Sequence, residues 1–198
     1  VQQAAAWRLV ACSQPELENP LLARLTEFWF NHLNVYSGKG SVRPFTGHYV
    51  VNVARKHALG RFEDLLLSSA RHPAMLHYLN QFQSVAEGSR GANGQTRGLN
   101  ENYARELMEL HTLGVDDGYT QTDVRELARV LTGWTIGPRA ADGFRFAPRL
   151  HDSGSKTVLG QRFPMGAWGQ GEREGKDAIR MLARHPATAQ RVCTRLAQ

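Results

Sequence analysis

Apolar residues recur at helical spacing along most of the chain. From Pro20 to about Val35 one face carries Leu21, Leu22, Leu25, Phe28, Trp29 and Leu33, and the other carries Arg24, Glu27, Asn31 and Asn34. The same period predicts helices over Thr46–His57 (Val50, Val51 and Ala54 inward), Arg61–Arg71 (Phe62, Leu65, Leu66 and Ala70 inward) and Pro73–Asn80. It predicts another from Thr120 to about Trp134, and two closing helices over Glu172–Arg184 and Pro186–Ala197. Ala4–Cys12 reads as a short helix and Ser13–Asn19 as a connection. The period changes to two where Phe144 and Phe146 alternate with arginine, and Thr157–Leu159 is β-prone, so a single hairpin is expected with its loop through His151–Ser155. Gly160–Gly175 reads as irregular. The expectation is a mainly α, compact multi-helix domain over residues 1–198, with a small β-hairpin near residues 143–160.

The stretch richest in chemistry is Asn100–Val115, NENYARELMELHTLGV. At 100° per residue Tyr103, Ala104, Leu107, Leu110 and His111 share one side, and Glu101, Asn102, Arg105, Glu106, Glu109 and Thr112 share the other. Gly114 fits a C-cap. His32 and His111 each stand alone on an apolar face, which predicts buried rings.

Punctuation follows known helix-end chemistry. Thr120 and Asp123 fit a capping-box variant. Ala70-Arg-His-Pro-Ala74 recurs as Ala183-Arg-His-Pro-Ala187, each copy closing one helix and opening another, with proline in the first turn and histidine at the junction. Residues 83–99 are polar and glycine-rich, and read as a mobile loop that is either a lid or a tolerated surface insertion.

The chain has 198 residues, 41% of them hydrophobic, and a net charge of +6. That is enough for one large domain or two small ones. No apolar run approaches the roughly 20 residues of a membrane span. The charge is carried mainly by arginine, which suits either an anionic partner or solvated faces; the arginines are dispersed and no nucleic-acid motif accompanies them. Cys12 and Cys193 lack zinc spacing, and Cys193, in line with Ala189 and Leu196, reads as a buried thiol; whether the two pair is open.

Glu106 and Glu109 stand at i,i+3, near enough to share a ligand or a metal, which suits metal-assisted hydrolysis or acid/base glycoside cleavage, and Glu101 is a further candidate acid on the same face. Asn100, Asn102 and Arg105 are candidate substrate-binding groups beside them. His151-Asp152 pairs an imidazole with a carboxylate, which suits general-base chemistry, although the same residues before Ser153-Gly154 also suit an Asx turn. Neither E-x-x-H nor H-E-x-x-H occurs, so the metal signal is weak, and whether a metal or cofactor is bound stays open. Acids this crowded on one helix face need cationic partners if covered, and Arg125 and Arg129 of the next helix are the expected suppliers.

Taken in series, FWFNH (Phe28–His32), HALGRFEDLLL (His57–Leu67), HPAML (His72–Leu76), the central stretch, YTQTDVRELARVLTGW (Tyr119–Trp134), HDSGSKTVLG (His151–Gly160) and ARHPATA (Ala183–Ala189) resemble the bacterial family called domain of unknown function 1800. The resemblance covers nearly the whole chain and implies a mainly helical piece of a longer, exported protein, periplasmic or secreted, often encoded beside an uncharacterised sulfatase-like protein. It implies no activity. Phe30 departs from the family, which often has histidine there. Two function classes stand open. One is a hydrolase acting on a polar polymer such as a glycan, through Glu101, Glu106, Glu109, His151 and Asp152. The other is a non-catalytic scaffold or binding protein whose polar helix face is a buried structural network.

Overall fold

A computed structural model describes residues 19–89, 98–115, 118–165 and 170–198. The expected helix Ala4–Cys12, residues 90–97 of the expected loop and the Asp116-Asp117 step lie outside the described residues. The chain divides into two compact units, 1–78 and 79–198.

The first unit is helical. Helix α1 (Pro20–His32) starts where Asn19 accepts hydrogen bonds from the Leu21 and Leu22 amides, with Pro20 in the first turn. A 3-10 turn, Arg43–Phe45, leads into α2, which is α-helical over Thr46–Tyr49 and π-helical over Val50–Arg55. Helices α3 (Phe62–Arg71) and α4 (Pro73–Tyr78) follow. Trp29, Leu33, Tyr49, Val53, Leu65, Leu66 and Met75 form the core. Its polar atoms are bonded: the Trp29 indole donates to the Ala58 carbonyl (3.0 Å), and the Tyr49 hydroxyl bonds the Leu33 carbonyl (2.8 Å) and the Ser69 hydroxyl (2.7 Å). His32 is buried among the rings of Phe28, Trp29 and Phe62, as its place on the apolar face predicts.

Both His-Pro corners are built as the repeat implies. Pro73 and Pro186 open their helices, and the preceding histidine is extended at ψ 135° and 138°. In each corner the imidazole Nδ1 accepts the amide of the second helical residue, Ala74 at 3.1 Å and Ala187 at 3.3 Å. A histidine thus takes the capping position usually held by Ser, Thr, Asp or Asn.

The second unit begins with a 3-10 turn at Gln81–Gln83 and continues through α5 (α-helical Asn102–Glu106, π-helical Leu107–His111) and α6 (Gln121–Val130). Four short strands follow, β1 (Trp134–Ile136), β2 (Phe144–Phe146), β3 (Lys156–Val158) and β4 (Gln161–Phe163), then α7 (Gly171–Ala183) and α8 (Pro186–Ala197). Residues 83–86, the start of the expected loop, are partly core: Ser84 and Val85 are buried, Gly133 N–H donates to the Ser84 carbonyl and Ala86 N–H to the Leu150 carbonyl.

The expected single hairpin is two. Phe144–Phe146 pairs with Trp134–Ile136, and Lys156–Val158 pairs with Gln161–Phe163, both antiparallel. Each strand has a partner across a shorter connection than the one through His151–Ser155. Leu159 (φ 50°) and Gly160 (φ 76°) make a two-residue turn with positive φ at both positions, the geometry that matches strand twist. Asp123 completes the predicted capping box with Thr120 and also accepts the Leu159 amide at 2.7 Å, and Glu126 accepts the Thr157 amide at 3.1 Å. Two acids of α6 therefore hold this hairpin. In α8 the buried residues are Thr188 and Val192, and Cys193 is exposed, against the buried thiol expected from its helical face.

Helix α7 approaches the first hairpin through Gly171 and Gly175, one turn apart. A Cβ at Gly175 would lie 2.5 Å from the Trp134 ring, and one at Gly171 would lie 2.5 Å from the His151 ring. Alanine is ordinarily better than glycine inside a helix by about 0.5–1 kcal/mol. Overpacking against a buried ring costs about 1–3 kcal/mol and decides the sign. Gly175→Ala is expected to lower the urea midpoint of unfolding; a rise would show that Trp134 yields.

Candidate functional site

The polar residues singled out in the sequence form two groups, bonded to α6 at Gln121 and at Arg129. The first lies on α5. Asn100 accepts the Asn102 amide through Oδ1 (3.0 Å), donates its own amide to Ser84 Oγ (3.2 Å) and donates Nδ2 to the Asn80 carbonyl (3.1 Å). Asn102 donates Nδ2 to the Leu79 carbonyl at 3.4 Å. The two amides are thus spent on backbone groups and fix the start of the helix. Arg105 lies 3.5 Å from both Glu101 and Glu109. Gln121, the first residue of α6, closes a ring by accepting from Arg105 (2.8 Å) and donating to Glu101 (2.6 Å).

Glu106 differs from its neighbours. Among the described residues its carboxyl has no hydrogen bond or ion pair. Burial first, and then the charge of Glu109, push that carboxyl above the ordinary glutamate range, and Arg105 opposes them only in part.

The winding of α5 changes which residues accompany Glu106. From Leu107 the helix takes the wider π turn, and positions beyond it rotate away from the 100° register. Thr112, expected on the polar face, is fully buried and donates to the Leu107 carbonyl five residues back at 2.6 Å. Leu110, expected inside, is 46% exposed. His111 stays buried, as expected, with its ring 6.4 Å from that of Tyr103.

The expected arginine suppliers do not reach this face. Arg125 meets Glu87 at 3.0 Å, and Arg129 meets Asp152 and Glu126. Arg129 lies two turns beyond Gln121, where Asp152 and Ser155 meet α6, and Arg125 turns to the segment before α5. Glu101 and Glu109 are instead paired with Arg105 beside them, and Gln121 of α6 adds a bond to Glu101.

The second group centres on His151. The residue is extended (φ −86°, ψ 138°), so its ring and the Asp152 side chain leave on opposite sides. Asp152 does not orient His151. It accepts Arg129 Nε at 2.8 Å and Nη2 at 3.2 Å, and closes an Asx turn onto the Gly154 amide at 2.9 Å. Burial raises the Asp152 carboxyl, but hydrogen bonds from Arg129 and Gly154 and the charges of Arg129 and Lys156 together outweigh it, and the net direction is downward. The His151 ring has Nδ1 2.9 Å from the Thr132 carbonyl and Nε2 3.0 Å from Glu174. Glu174 also takes the ammonium of Lys156, at 2.9 and 3.1 Å. Lys156 is 2% exposed.

Glu174, Lys156, Thr132 and Gln121 escaped the reading of the sequence. Strand alternation carried the signal for Lys156, because Lys156 and Val158 share the inward face while Thr157 points out. Nothing in Gly-Glu-Arg-Glu-Gly marks Glu174.

The two groups meet α6 at different positions. Gln121 and Arg129 are eight residues apart, roughly 12 Å along α6. Carboxyls that share a glycosidic bond stand about 5–9.5 Å apart. Among the described residues no hydrogen bond or ion pair joins Glu101, Glu106 or Glu109 to His151 or Asp152. None of the described His, Cys, Asp and Glu residues form a group of three or more that could hold a metal ion. No described helix is long and apolar enough to cross a membrane.

Fold and site together define a mainly α protein with, among the described residues, two small hairpins and an acid-rich, partly π-wound helix. A family model described as "Protein of unknown function (DUF1800)" matches residues 1–198, and the chain belongs to that family. No curated protein and no solved structure matches it.

Two outcomes test the second group. Glu174→Gln strands Lys156 and His151 beside a neutral amide, and removing one partner of a buried pair costs about 3–5 kcal/mol; Lys156→Met combined with Glu174→Leu is expected to recover much of that in urea unfolding. Asp152, held below its unfolded value of about 3.9, contributes stability that is present above that pH and is lost as the pH falls through the lower folded value. Asp152→Asn is therefore expected to flatten the acid limb of the stability curve, and an unchanged limb would remove Asp152 from it.

Proposed function

We propose that this chain is the hydrolase part of an exported protein, acting on a polar polymer such as a glycan, with Glu106 as the proton donor and Glu109 as its ionised companion. One observation carries the reading. On a face where Asn100, Glu101, Asn102, Arg105 and Glu109 are all engaged, Glu106 keeps a raised carboxyl that no described residue bonds. A carboxyl shifted upward by burial and a like charge is the form that delivers a proton to a leaving oxygen near neutral pH. The charge of Glu109 reaches the Glu106 carboxyl, so the two acids are near enough for a pair of carboxyls that share one bond. Arg105 lies 3.5 Å from Glu109 and holds it beside Glu106. Asn100 and Asn102 then serve by fixing the start of α5 rather than by touching substrate. The π turn immediately after Glu106 supports the reading, since such turns gather at functional sites.

The closed ring of Glu101, Arg105 and Gln121 favours a second reading, in which the face is structural and the protein is a scaffold or binding module. Glu106→Gln separates the two. A carboxyl raised above its unfolded value costs stability when ionised, so the neutral amide is expected to leave the melting temperature equal or slightly higher at pH 7. Under the hydrolase reading the same change abolishes release of reducing ends from a panel of polysaccharides. Wild-type activity that falls as the pH rises past the Glu106 titration would agree. Wild-type protein inactive on every polymer, with Glu106→Gln lowering the melting temperature, would establish the structural reading.

A further inference from the structure

We infer that His48 and His72 form a proton-sensitive latch on the corner between α3 and α4. The inference rests on counting protons. His72 Nδ1 accepts the Ala74 amide at 3.1 Å, so that nitrogen carries no hydrogen. The neutral ring must then hold its hydrogen on Nε2, which lies 2.8 Å from His48 Nδ1. His48 accepts there, and its own hydrogen is on Nε2. The chain Ala74 to His72 to His48 thus runs in one direction, with every lone pair and every N–H along it assigned.

One more proton breaks the chain wherever it lands. On His72 Nδ1 it faces the Ala74 amide, and the cap that opens α4 is lost. On His48 Nδ1 it faces the His72 Nε2–H. That clash is relieved only if His72 moves its hydrogen to Nδ1, which again costs the cap. His72 is buried and His48 is exposed, so solvent protons reach the chain from its outer end.

The surroundings favour the neutral pair. Tyr49 sets its ring edge-on to His72 at 5.1 Å, and its hydroxyl is held by Leu33 and Ser69. The packed elements also carry Arg43, Arg55, Arg71 and His77. The acids of α3, Glu63 and Asp64, sit at the opposite end of that helix, roughly 12 Å away along its axis. Burial first, and then His48, lower the His72 imidazole to about 4. A base whose folded value lies below its unfolded value of about 6.5 contributes stability that is complete above that pH and is lost as the pH falls from 6.5 through 4. The corner therefore loosens in mildly acidic surroundings.

His72→Asn provides the test, because asparagine keeps a side-chain oxygen for the cap and does not titrate. Wild-type protein is expected to lose urea midpoint between pH 7 and pH 4.5, and His72→Asn to lose measurably less. Two-dimensional nitrogen-15 spectra of the wild-type imidazoles at pH 7.5 are expected to show both rings as Nε2–H tautomers. Equal losses in the two proteins, or a His72 ring protonated on Nδ1 at pH 7.5, would overturn the latch. The spectra need no variant, so the inference stays testable if His72→Asn fails to fold.

Discussion

Glu174 is a carboxylate with little access to water, and the second unit brings it the ammonium of Lys156 and the imidazole of His151. Lys156 reaches it from β3 and His151 from the loop before that strand. A lone buried charge costs several kcal/mol, so these three groups fix one another's places. The consequences spread outward. Because α7 must present Glu174 to both partners, its backbone comes close to the rings of His151 and Trp134. Only glycine at positions 171 and 175 permits that approach. Because Lys156 points inward, β3 has a defined face, and its hairpin rests on Asp123 and Glu126 of α6. Arg129 then holds Asp152 and Glu126 together beside it. Removing Glu174 would leave several of these contacts without a reason to form.

The acid-rich helix solves a different problem with different means. Its charges lie nearer water, where an ion pair within one helix contributes only about 0.3–0.5 kcal/mol. Arg105 and Gln121 nevertheless order most of the face. Glu106, buried enough to feel its environment and close to Glu109, remains at a cost in stability. A carboxyl kept at such a cost is a common mark of function. The wider turn that follows it also turns Leu110 outward and Thr112 inward, so the surface around Glu106 mixes charge with one exposed apolar side chain.

The histidine corners show how one dipeptide does two jobs. Proline suits the first turn because it lacks an amide hydrogen, and histidine supplies an acceptor to the amide that follows. Only the neutral ring can accept in this way. At His72 a second histidine completes the arrangement, and at His185 the cap stands without one. The two copies share local geometry and differ in what the rest of the first unit brings to one of them.

Helices, their caps and their buried histidines were legible in the sequence because local forces set them. The 3.6-residue period located α1, α3, α6, α7 and α8, and the capping box at Thr120 and both proline corners followed from backbone valence alone. Burial of His32 and His111 followed from the same projection. Strand location was legible at Phe144–Phe146 and Thr157–Leu159, but strand pairing was not, since it depends on which partner lies across the shorter turn. Phase beyond Leu107 was lost because a π turn leaves no mark in hydrophobic periodicity. Ionic partners were lost for a similar reason: a charge pairs with whatever the fold brings near it. Asp152 turned to Arg129 and His151 to Glu174, although the sequence set His151 and Asp152 side by side, because an extended backbone sends neighbouring side chains in opposite directions. The sequence by itself determined which of the described segments are helical and how the capped ones begin, but not where each ends: the helix expected to reach Trp134 stops at Val130, and Trp134 opens β1. Only the tertiary structure decided which charges meet, because electrostatic partners are chosen by distance in space and not by distance along the chain.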